Sequence, residues 1–400
     1  MKINVLGGGI AGLASAIFLS KQGHEVTVVE RNNFNNELGA GIQITPNAIR
    51  VFDALGIRND FIDLAEQPTS LNIRRAENKA LLQKVSIHKL VENQKLGFYH
   101  LHRHKLINLL RDNAIKHKVK IISNQNINKI ITTKDHVRIC STDIEYDSDV
   151  LIGADGLNSI SRKKLNEDYK PKYSGFCAFR TISKLEKGTD KFLLEPNLFL
   201  QKNAHMVTYP LNGNELNCIL VAKQNKQELE SWHLSSTIEQ VEESTFNFDN
   251  ELQNLFNASS LINKWGLFFH YPKNWFDTRV LIIGDAAHPM LPFMAQGACS
   301  ALEDSLVLDH VFKKYNDHSE IFTNFVSMRQ KRVKRIQDLS RNNRIIFHLG
   351  NRTRDLFFCL NSKFPAYFES RQQSVYKYNF FTEVNSVSYT HLTLPTIYSV

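Results

Sequence analysis

Residues 2–30 read KINVLGGGIAGLASAIFLSKQGHEVTVVE, and this stretch decides the fold class. Lys2–Leu6 is a short apolar run that leads into three glycines, Ile10–Lys21 has the spacing of a helix, and Glu25–Glu30 is rich in β-branched residues. The order of strand, glycine turn, helix and strand predicts a βαβ unit with two parallel strands.

The glycine turn of this unit, GGGIAG at residues 7–12, follows the GxGxxG pattern of dinucleotide-binding proteins. Gly7 permits a tight turn, Gly9 lets a pyrophosphate approach the backbone, and Gly12 allows the helix to pack closely on the strand. Glu30 ends the next strand, where a carboxylate accepts hydrogen bonds from an adenosine ribose. A glycine-rich turn without a ligand is the alternative, and the motif alone does not say which dinucleotide binds.

The composition is that of an ordinary globular protein. The chain has 400 residues, 42% of them hydrophobic, and a net charge of +9. Its basic residues are interleaved with acidic ones, which argues against nucleic-acid binding. The cysteines are far apart and lack CxxC spacing, so they predict reduced core residues rather than a disulfide framework or a zinc site. They are Cys140, Cys177, Cys218, Cys299 and Cys359.

The N-terminus enters a strand without a basic and then apolar leader. No apolar run reaches the roughly 18 residues that a membrane span requires. The expected location is therefore the cytoplasm, and no membrane span is expected.

Two further motifs stand far downstream. Residues 149–162, DVLIGADGLNSISR, predict a buried strand, a polar turn and a helix start, and residues 283–292, IGDAAHPMLP, predict a second strand that ends in a carboxylate. With GGGIAG they resemble the flavoprotein monooxygenases of the para-hydroxybenzoate hydroxylase type. The similarity covers about residues 2–350, and residues 284–305 are most similar to the single-component salicylate, 3-hydroxybenzoate and 6-hydroxynicotinate hydroxylases.

The resemblance implies an α/β fold, namely a Rossmann-like FAD-binding domain with an inserted antiparallel-sheet substrate domain and C-terminal helices. Extended segments broken by turns from Tyr173 to Lys223, with a turn at Pro210-Leu211-Asn212-Gly213, favour the same sheet. The expected divisions are 1–170 for the FAD-binding domain with inserted strands at about 65–100, 171–275 for the substrate sheet, 276–350 for the second part of the FAD-binding domain, 351–385 for a C-terminal helical segment, and 386–400 for a non-native tail.

The resemblance also assigns FAD as the cofactor. It implies that Arg103 lies beside the pyrophosphate or flavin, that Asp285 binds the ribityl and phosphate region, and that Asp155 contacts both FAD and NAD(P)H. The alternatives are a surface ion pair for Arg103, a turn former for Asp155 and a helix cap for Asp285. The expected FAD-binding residues are Gly7, Gly9, Gly12, Glu30, Arg31, Gly41, Arg103, Asp155, Gly284, Asp285, Gly297 and Ala298.

Two segments predict close approach of backbone to the flavin. A helix that begins near residues 296–298 could aim its N–H groups at the flavin pyrimidine edge, which becomes negative on reduction. The small residues around Gly41 would let the chain pass close to a ring.

The substrate residues are predicted from the segment HMVTYPL at residues 205–211, which resembles the HxxxYPL segment of phenolic-acid hydroxylases. On a strand His205 and Tyr209 face the same side, roughly 13 Å apart at about 3.3 Å per residue. His205 is the candidate base for a substrate phenol, since the usual histidine pKa lies near working pH, and Tyr209 is its catalytic companion. A satisfied polar core residue is the alternative for His205. The expected substrate-binding residues are Arg180, for an acid group, Gln296, for orienting the ring, His205, Tyr209 and Pro292.

The chemistry that the resemblance implies is hydroxylation of a small aromatic substrate, a phenolic or N-heteroaromatic acid. FAD, NADH or NADPH, and O2 would act through a flavin hydroperoxide. The alternatives are epoxidation, dehydrogenation or halogenation on the same fold, and a non-catalytic flavin-binding redox sensor, because fold alone does not assign chemistry. No metal site is expected, and a homodimer is one of the oligomeric states left open.

Overall fold

A computed structural model describes residues 1–34, 40–91, 96–142, 144–185, 191–212, 214–225, 234–257, 259, 261–363 and 365–382. The strands are β1 (Lys2–Leu6), β2 (Glu25–Val29), β3 (Gly41–Ile44), β4 (Ser70–Arg75), β5 (Leu81–Ser86), β6 (Tyr99–His102), β7 (Lys120–Ile122), β8 (Lys129–Thr132), β9 (Val137–Cys140), β10 (Glu145–Ser148), β11 (Val150–Gly153), β12 (Lys172–Lys184), β13 (Asn197–Gln201), β14 (Ala204–Leu211), β15 (Glu215–Lys223), β16 (Leu234–Ser235), β17 (Asn263–Phe269) and β18 (Val280–Ile282). The helices are α1 (Ile10–Lys21), α2 (Pro46–Leu55), α3 (Arg58–Ile62), α4 (Ile87–Leu90), α5 (Arg103–Lys116), α6 (Ile160–Leu165), α7 (Ile238–Thr245), α8 (Asn250–Asn257), α9 (Gly297–Lys314), α10 (His318–Phe347), α11 (Asn351–Lys363) and α12 (Pro365–Tyr376).

A five-stranded parallel sheet in the order β18-β11-β1-β2-β7 carries the dinucleotide-binding motifs. Strand β1 pairs with β2 on one side and β11 on the other, which confirms the predicted βαβ unit. Helix α1 is buried from Ile10 to Leu19 because it packs against both α9 and α5. The carboxyl ends of β1, β11 and β18 therefore bring the three sequence motifs to one edge of this sheet.

An eight-stranded sheet in the order β16-β17-β12-β15-β14-β13-β4-β5 forms a second layer. It is antiparallel between β16 and β13, as predicted, but β13 and β4 pair in parallel, with Asn197 opposite Asn72. Strands β4 and β5 come from the inserted strands, so the sheet draws on chain segments on both sides of β11. The expected fold class, a parallel α/β sheet with an antiparallel layer, is confirmed.

One turn prediction is wrong. Pro210 and Leu211 belong to strand β14, where they pair with Leu216 and Glu215, and the turn starts only at Asn212. The pairing of β13 with β14 ends at Thr208. On that side Pro210 therefore faces no strand to which a backbone N–H would have to donate, so proline is tolerated there.

The two faces of the eight-stranded sheet are covered by different elements. One face packs Cys177, Phe179 and Phe199 against helix α8 through Leu252 and Phe256. The opposite face, called here the inner face, carries an apolar cluster that continues into residues 291–294 and α10. Its members include Ala178, Leu198, Leu200, Val221, Trp265, Phe293 and Phe347.

The described chain after residue 296 is mainly helical, as predicted, with α9 and α10 following β18. Four of the cysteines are buried thiols, but Cys359 on α11 is exposed, so the prediction of a core position is wrong for that residue. No helix in the described part of the chain is long and apolar enough to cross a membrane. The predicted non-native tail, residues 386–400, lies outside the described residues.

Candidate active site

The glycine turn after β1 has the geometry that its sequence pattern predicts. Gly7 has a φ of +108°, and a Cβ atom there would lie 2.3 Å from the carbonyl oxygen of Ala154. A Cβ atom at Gly12 would lie 1.9 Å from the carbonyl oxygen of Gly7. At Gly9, in contrast, an added Cβ atom would meet nothing within 4 Å. Gly7 and Gly12 are therefore required by packing, whereas Gly9 keeps the space in front of α1 open.

Glu30 supports this turn from the end of β2. Its carboxylate accepts hydrogen bonds from the backbone N–H of Gly8 at 2.6 Å and of Asn32 at 2.9 Å. The neighbouring Arg31 is exposed. Glu30 thus stands beside the open space at Gly9, where the predicted ribose would lie.

The second motif forms a capped helix start. The carboxylate of Asp155 accepts hydrogen bonds from Ser159 Oγ at 2.6 Å and from the backbone N–H groups of Ile160 at 2.8 Å and Ser161 at 3.0 Å. These contacts fit the turn-forming alternative better than a direct contact with FAD or NAD(P)H, because they occupy both carboxylate oxygens. Arg162 then donates to the carbonyls of Asp285 at 3.0 Å and Ala286 at 3.1 Å and so ties this motif to the third.

The third motif turns sharply after β18. Gly284 has a φ of +56°, and a Cβ atom there would lie 2.9 Å from Cβ of Ala11 on α1. Asp285 follows in a short 3-10 helix that has no side-chain cap, so the capping alternative is wrong. The Asp285 side chain makes no hydrogen bond to a described residue. Burial raises its pKa, while the nearby charges of His288 and Arg103 act in the opposite direction.

A buried ionic network that sequence analysis missed holds this turn. Asp304 of α9 accepts hydrogen bonds from Gly284 N–H at 2.8 Å, His288 Nε2 at 2.6 Å and Arg329 Nε at 2.7 Å. Glu303 accepts from Arg329 at 2.7 Å and from Arg332 at 2.9 Å. Burial opposes ionisation of both carboxyl groups, but these cationic partners hold the pKa of each below its usual range. The signal in the sequence is an adjacent Glu-Asp pair inside an otherwise apolar helix.

Helix α9 begins at Gly297 with Gln296 as its N-cap, as predicted. An added Cβ atom at Gly297 would meet nothing within 4 Å. The side chain of Gln296, however, is buried, accepts from Asn47 Nδ2 at 3.0 Å and donates to Thr45 Oγ1 at 2.8 Å. Its amide is therefore used within the fold, which corrects the expectation that it orients a substrate ring.

Gly41 lies where the two layers meet. Its N–H donates to Asn217 Oδ1 of β15 at 2.8 Å, and a Cβ atom at Gly41 would lie 2.7 Å from that side chain. The need for glycine is thus explained by the approach of β3 to the sheet. Asn217 is fully buried, and its Nδ2 makes no hydrogen bond to a described residue.

The inner face of the sheet gathers the predicted substrate residues. His205, Val207 and Tyr209 alternate along β14, and their partners on β15 are Val221, Ile219 and Asn217. Arg180 lies opposite Ile219 on β12, with its guanidinium 5.2 Å from the ring centroid of Trp265.

Tyr209 and Arg180 share one buried neighbourhood. Burial raises the pKa of Tyr209, and the charge of Arg180 acts in the opposite direction. The Tyr209 ring packs at 4.4 Å from that of His100, and its hydroxyl makes no hydrogen bond to a described residue. Burial lowers the pKa of Arg180, and the nearby Arg103 adds to this effect. Because Arg103 also acts on Asp285, it lies near both Arg180 and the Asp285 turn.

His205 is 2% exposed, and its Nδ1 atom lies 2.9 Å from Nε2 of His348. Burial and the neighbouring His348 hold the pKa of His205 well below 6.5. Burial among aromatic side chains thus moves the pKa of His205 away from the ordinary histidine value on which its choice as a base was founded. Pro292 starts a short 3-10 helix whose next residue, Phe293, packs 5.4 Å from the His205 ring.

These features fit a bound dinucleotide with a flat ring. Open space at Gly9 lies before the amino end of α1, and a second open position, Gly297, lies at the amino end of α9. Helix amino ends favour anionic groups. The Asp285 carboxylate, in the turn after β18, makes no hydrogen bond to a described residue and lies near His288 and Arg103. The fold and this arrangement define a dinucleotide-binding protein.

Comparison with known proteins agrees with this class. The model of the FAD binding domain family matches residues 1–338, so the chain belongs to that family. It is similar to an FAD-dependent monooxygenase of Beauveria bassiana, with 29% identity over 86% of this chain and 85% of the relative. It is also similar to 3-hydroxybenzoate 6-hydroxylase of Klebsiella oxytoca, with 27% identity over 87% and 89% of the two chains.

A third relative, 6-hydroxynicotinate 3-monooxygenase of Bordetella bronchiseptica, is 28% identical over 86% of this chain and 91% of its own length. Among solved structures, a salicylate hydroxylase in complex with substrate has a TM-score of 0.80 at 22% identity and covers 100% of this chain and 99% of its own. Klebsiella pneumoniae HpxO with FAD and uric acid has a TM-score of 0.76 at 20% identity and covers 99% of this chain and 97% of its own. The chain is an FAD-dependent monooxygenase, which confirms the predicted enzyme class and cofactor.

Proposed function

We propose that this protein hydroxylates a small phenolic or N-heteroaromatic acid, with NADH or NADPH as electron donor and O2 as oxygen donor. The observation that carries the proposal is the inner face of the sheet, which places half-buried Arg180 and the buried side chains of Tyr209 and His205 on one side of the sheet. In the balanced reaction one oxygen atom enters the ring, the other leaves as water, and NAD(P)H and a proton are consumed.

FAD, when bound, supplies the redox chemistry of this reaction. Its binding residues would be the open turn at Gly9, the Glu30 carboxylate, the Asp285 turn, and the amino end of α9 at Gly297 and Ala298. The partial positive charge at a helix amino end stabilises negative charge on a ring placed before it. The remaining work of the protein is to orient the substrate and keep water away from it.

Each residue of the inner face has a separate role toward the substrate. His205 is neutral at working pH because its pKa is held well below 6.5, and its Nε2 atom makes no hydrogen bond to a described residue. That nitrogen would accept the hydrogen bond, and then the proton, of a ring hydroxyl, which makes the ring richer in electrons. The negative oxygen that results would stabilise the imidazolium that burial otherwise disfavours. Tyr209 stays a neutral phenol, since burial raises its pKa, and would position the same hydroxyl.

Arg180 would bind the acid group of the substrate. A guanidinium pairs with a carboxylate through two parallel hydrogen bonds, and such charge-assisted bonds are stronger where water is excluded. The names of two relatives, 3-hydroxybenzoate 6-hydroxylase and 6-hydroxynicotinate 3-monooxygenase, support a hydroxylated aromatic acid as the substrate class.

A substrate screen tests the proposal. Purified enzyme loaded with FAD is mixed with hydroxylated benzoic and nicotinic acids, and oxidation of NADH and of NADPH is followed with product analysis under 18O2. Incorporation of one labelled oxygen atom into the ring is the expected result. NAD(P)H oxidation that yields only hydrogen peroxide with every acid would contradict the assignment.

The matched variants are Arg180→Met and Arg180→Lys, which remove or keep the positive charge at the same position. Arg180→Met should raise KM for an acid by roughly 10-fold or more, the scale of a lost charge-assisted hydrogen bond of about 1.5–3 kcal/mol. The corresponding amide of the substrate should be nearly unaffected by the substitution, and Arg180→Lys should lie between. Equal losses for acid and amide would remove Arg180 from the substrate site.

A further inference from the structure

Two histidines from distant parts of the chain meet at the inner face of the sheet. His205 of β14 and His348, the residue that ends α10, lie with Nδ1 and Nε2 2.9 Å apart. Among the described residues, His348 is the hydrogen-bond partner of the His205 side chain. If His205 donates this bond from Nδ1, its other ring nitrogen, Nε2, carries a lone pair. If His348 donates, Nε2 of a neutral His205 carries the proton.

The pair is enclosed by three phenylalanines. Phe176 stacks on the His348 ring at 4.5 Å, and Phe293 and Phe347 pack at 5.4 and 5.3 Å from the His205 ring. Rings held from several sides cannot turn about the Cβ–Cγ bond, which would put Cδ2 where Nδ1 lies, without disturbing this cluster. The hydrogen bond between the histidines therefore defines one orientation of His205.

The surroundings of His348 indicate the direction of that bond. Its Nδ1 is buried and makes no hydrogen bond to a described residue. Burial lowers the pKa of His348 to about 4, and the carbonyl of Arg344, one turn earlier in α10, acts in the opposite direction. The backbone N–H of His348 bonds the carbonyl of Ile345 instead, which leaves the Arg344 carbonyl available to the side chain. A proton on Nδ1 makes Nε2 of His348 a hydrogen-bond acceptor.

We propose that His348 is a positioning residue that accepts the Nδ1 proton of His205 in a hydrogen bond and so leaves Nε2 of His205 as the lone pair that faces the substrate hydroxyl. This inference rests on the proposed hydroxylase function for its catalytic consequence. In outline it is the arrangement in which one nitrogen of a histidine is anchored so that the other acts as base. When the substrate hydroxyl gives its proton to Nε2, His205 becomes an imidazolium whose Nδ1–H remains bonded to His348.

The tautomer can be measured directly. Long-range 1H–15N spectra of the FAD-loaded enzyme, labelled with 15N in histidine, distinguish protonated from unprotonated ring nitrogens, and the His205 signals are identified by their loss in His205→Asn. Wild type should carry the His205 proton on Nδ1. His348→Gln, whose carbonyl can still accept, should keep it there, and His348→Phe should lose this preference. A wild-type His205 with its proton on Nε2 overturns the proposal, whether or not the variants fold.

Kinetics with the best acid from the substrate screen provide the second arm. His348→Phe should lower kcat for hydroxylation by about 10- to 100-fold, the usual range for loss of an orienting partner, with KM for NAD(P)H unchanged. His348→Gln should recover most of that loss. Full activity of His348→Phe overturns the positioning role. If wild type hydroxylates no acid, the proposed function fails, and the spectra still decide the tautomer.

Discussion

The carboxylate of Asp304 accepts a hydrogen bond from the backbone N–H of Gly284 at 2.8 Å. This bond joins helix α9 to the sharp turn that carries Asp285. The same carboxylate is paired with Arg329 of α10 at 2.7 Å, and both charged groups are completely buried. The turn, α9 and α10 are therefore held together by one anion, so the position of Asp285 depends on a residue that does not itself reach the pocket wall.

Asp304→Asn should lower both stability and FAD affinity. Loss of one member of a buried ion pair costs about 3–5 kcal/mol of unfolding free energy, because Arg329 is left with only part of its counter-charge. The matched control is Glu303→Gln, which also removes a partner of Arg329 but leaves the bonds to Gly284 and His288 intact. Denaturant titration should show similar losses of stability in the two variants. FAD titration should show a clearly weaker affinity in Asp304→Asn alone. Equal FAD affinity in the two variants would contradict the link to the turn.

Gly9→Val should fold and fail to take up FAD. The backbone of Gly9 has a φ of −78° and a ψ of −173°, a region open to any residue, and its added Cβ atom meets nothing within 4 Å. The valine would therefore fill only the space that the pyrophosphate needs. Flavin absorbance after reconstitution should be lost while thermal unfolding of the apoprotein is nearly unchanged. Wild-type FAD affinity in this variant would place the cofactor elsewhere.

Gly12→Val is the contrasting variant. Its Cβ atom would lie 1.9 Å from the carbonyl oxygen of Gly7, so the strand and helix must separate. We expect loss of folded protein rather than specific loss of flavin.

His205→Ala should keep the yellow colour and lose hydroxylation by roughly 100-fold or more, the scale of a lost acid or base group. FAD binding should be unchanged, because His205 lies on the sheet and not at the glycine turn. Product formation and thermal stability are measured on the same preparation. Native turnover in a destabilised variant would contradict the catalytic role and show that His205 is only a packed polar residue.

Tyr209→Phe is the companion of that variant, since it removes one hydroxyl from the same strand face. A neutral hydrogen bond contributes about 0.5–1.5 kcal/mol, which corresponds to a loss of roughly 2- to 13-fold in kcat/KM. We expect the effect mainly in substrate affinity and coupling. A loss as large as that of His205→Ala would give Tyr209 a direct part in proton transfer.

The stability of the protein should fall as the pH drops below about 6.5, in part because of His100. Burial lowers the pKa of His100 to about 3, whereas the unfolded chain keeps the ordinary value of 6.5. Between pH 6.5 and pH 3 the unfolded state binds a proton at His100 and the folded state does not. The contribution of His100 to the free energy of unfolding is therefore fully present above pH 6.5 and is lost as the pH falls toward 3. At pH 5 this single group removes about 2 kcal/mol.

His100→Phe tests this, because phenylalanine keeps the packing on Tyr209 and cannot titrate. Urea unfolding at pH 7 and pH 5 should show a smaller decrease for the variant than for wild type. Identical decreases would mean that His100 is protonated in the folded protein.

Local patterns carried most of what the sequence could predict. The spacing of Gly7, Gly9 and Gly12 reflects a turn between a strand and a helix, and the close contact of Gly12 with Gly7 follows from residues near in sequence, whereas the contact of Gly7 with Ala154 joins distant segments. The helix start at Gly297 was predictable for the same reason.

Contacts between distant segments could not be predicted in this way. The pairing of His205 with His348 requires α10 to end against β14. The hydrogen bonds of Gln296 require Asn47 of α2 and Thr45, which directly precedes α2, to lie beside the start of α9. A residue type at one position does not specify such partners. For Asp155 the sequence left two roles open, because a carboxylate after a strand can cap a helix as readily as it can contact a cofactor.

The parallel pairing of β4 with β13 has a consequence for how the protein is made. Asn72 of β4 lies opposite Asn197 of β13, which is made much later in the chain. Likewise, β11 can pair with β18 only after β18 has been synthesised. Folds dominated by such distant pairings form slowly, and their unpaired strand edges are exposed meanwhile. During translation the early strands leave the ribosome long before their neighbours exist. Production of this enzyme should therefore improve with slower synthesis at lower temperature or with added chaperones, even though the finished protein is well packed.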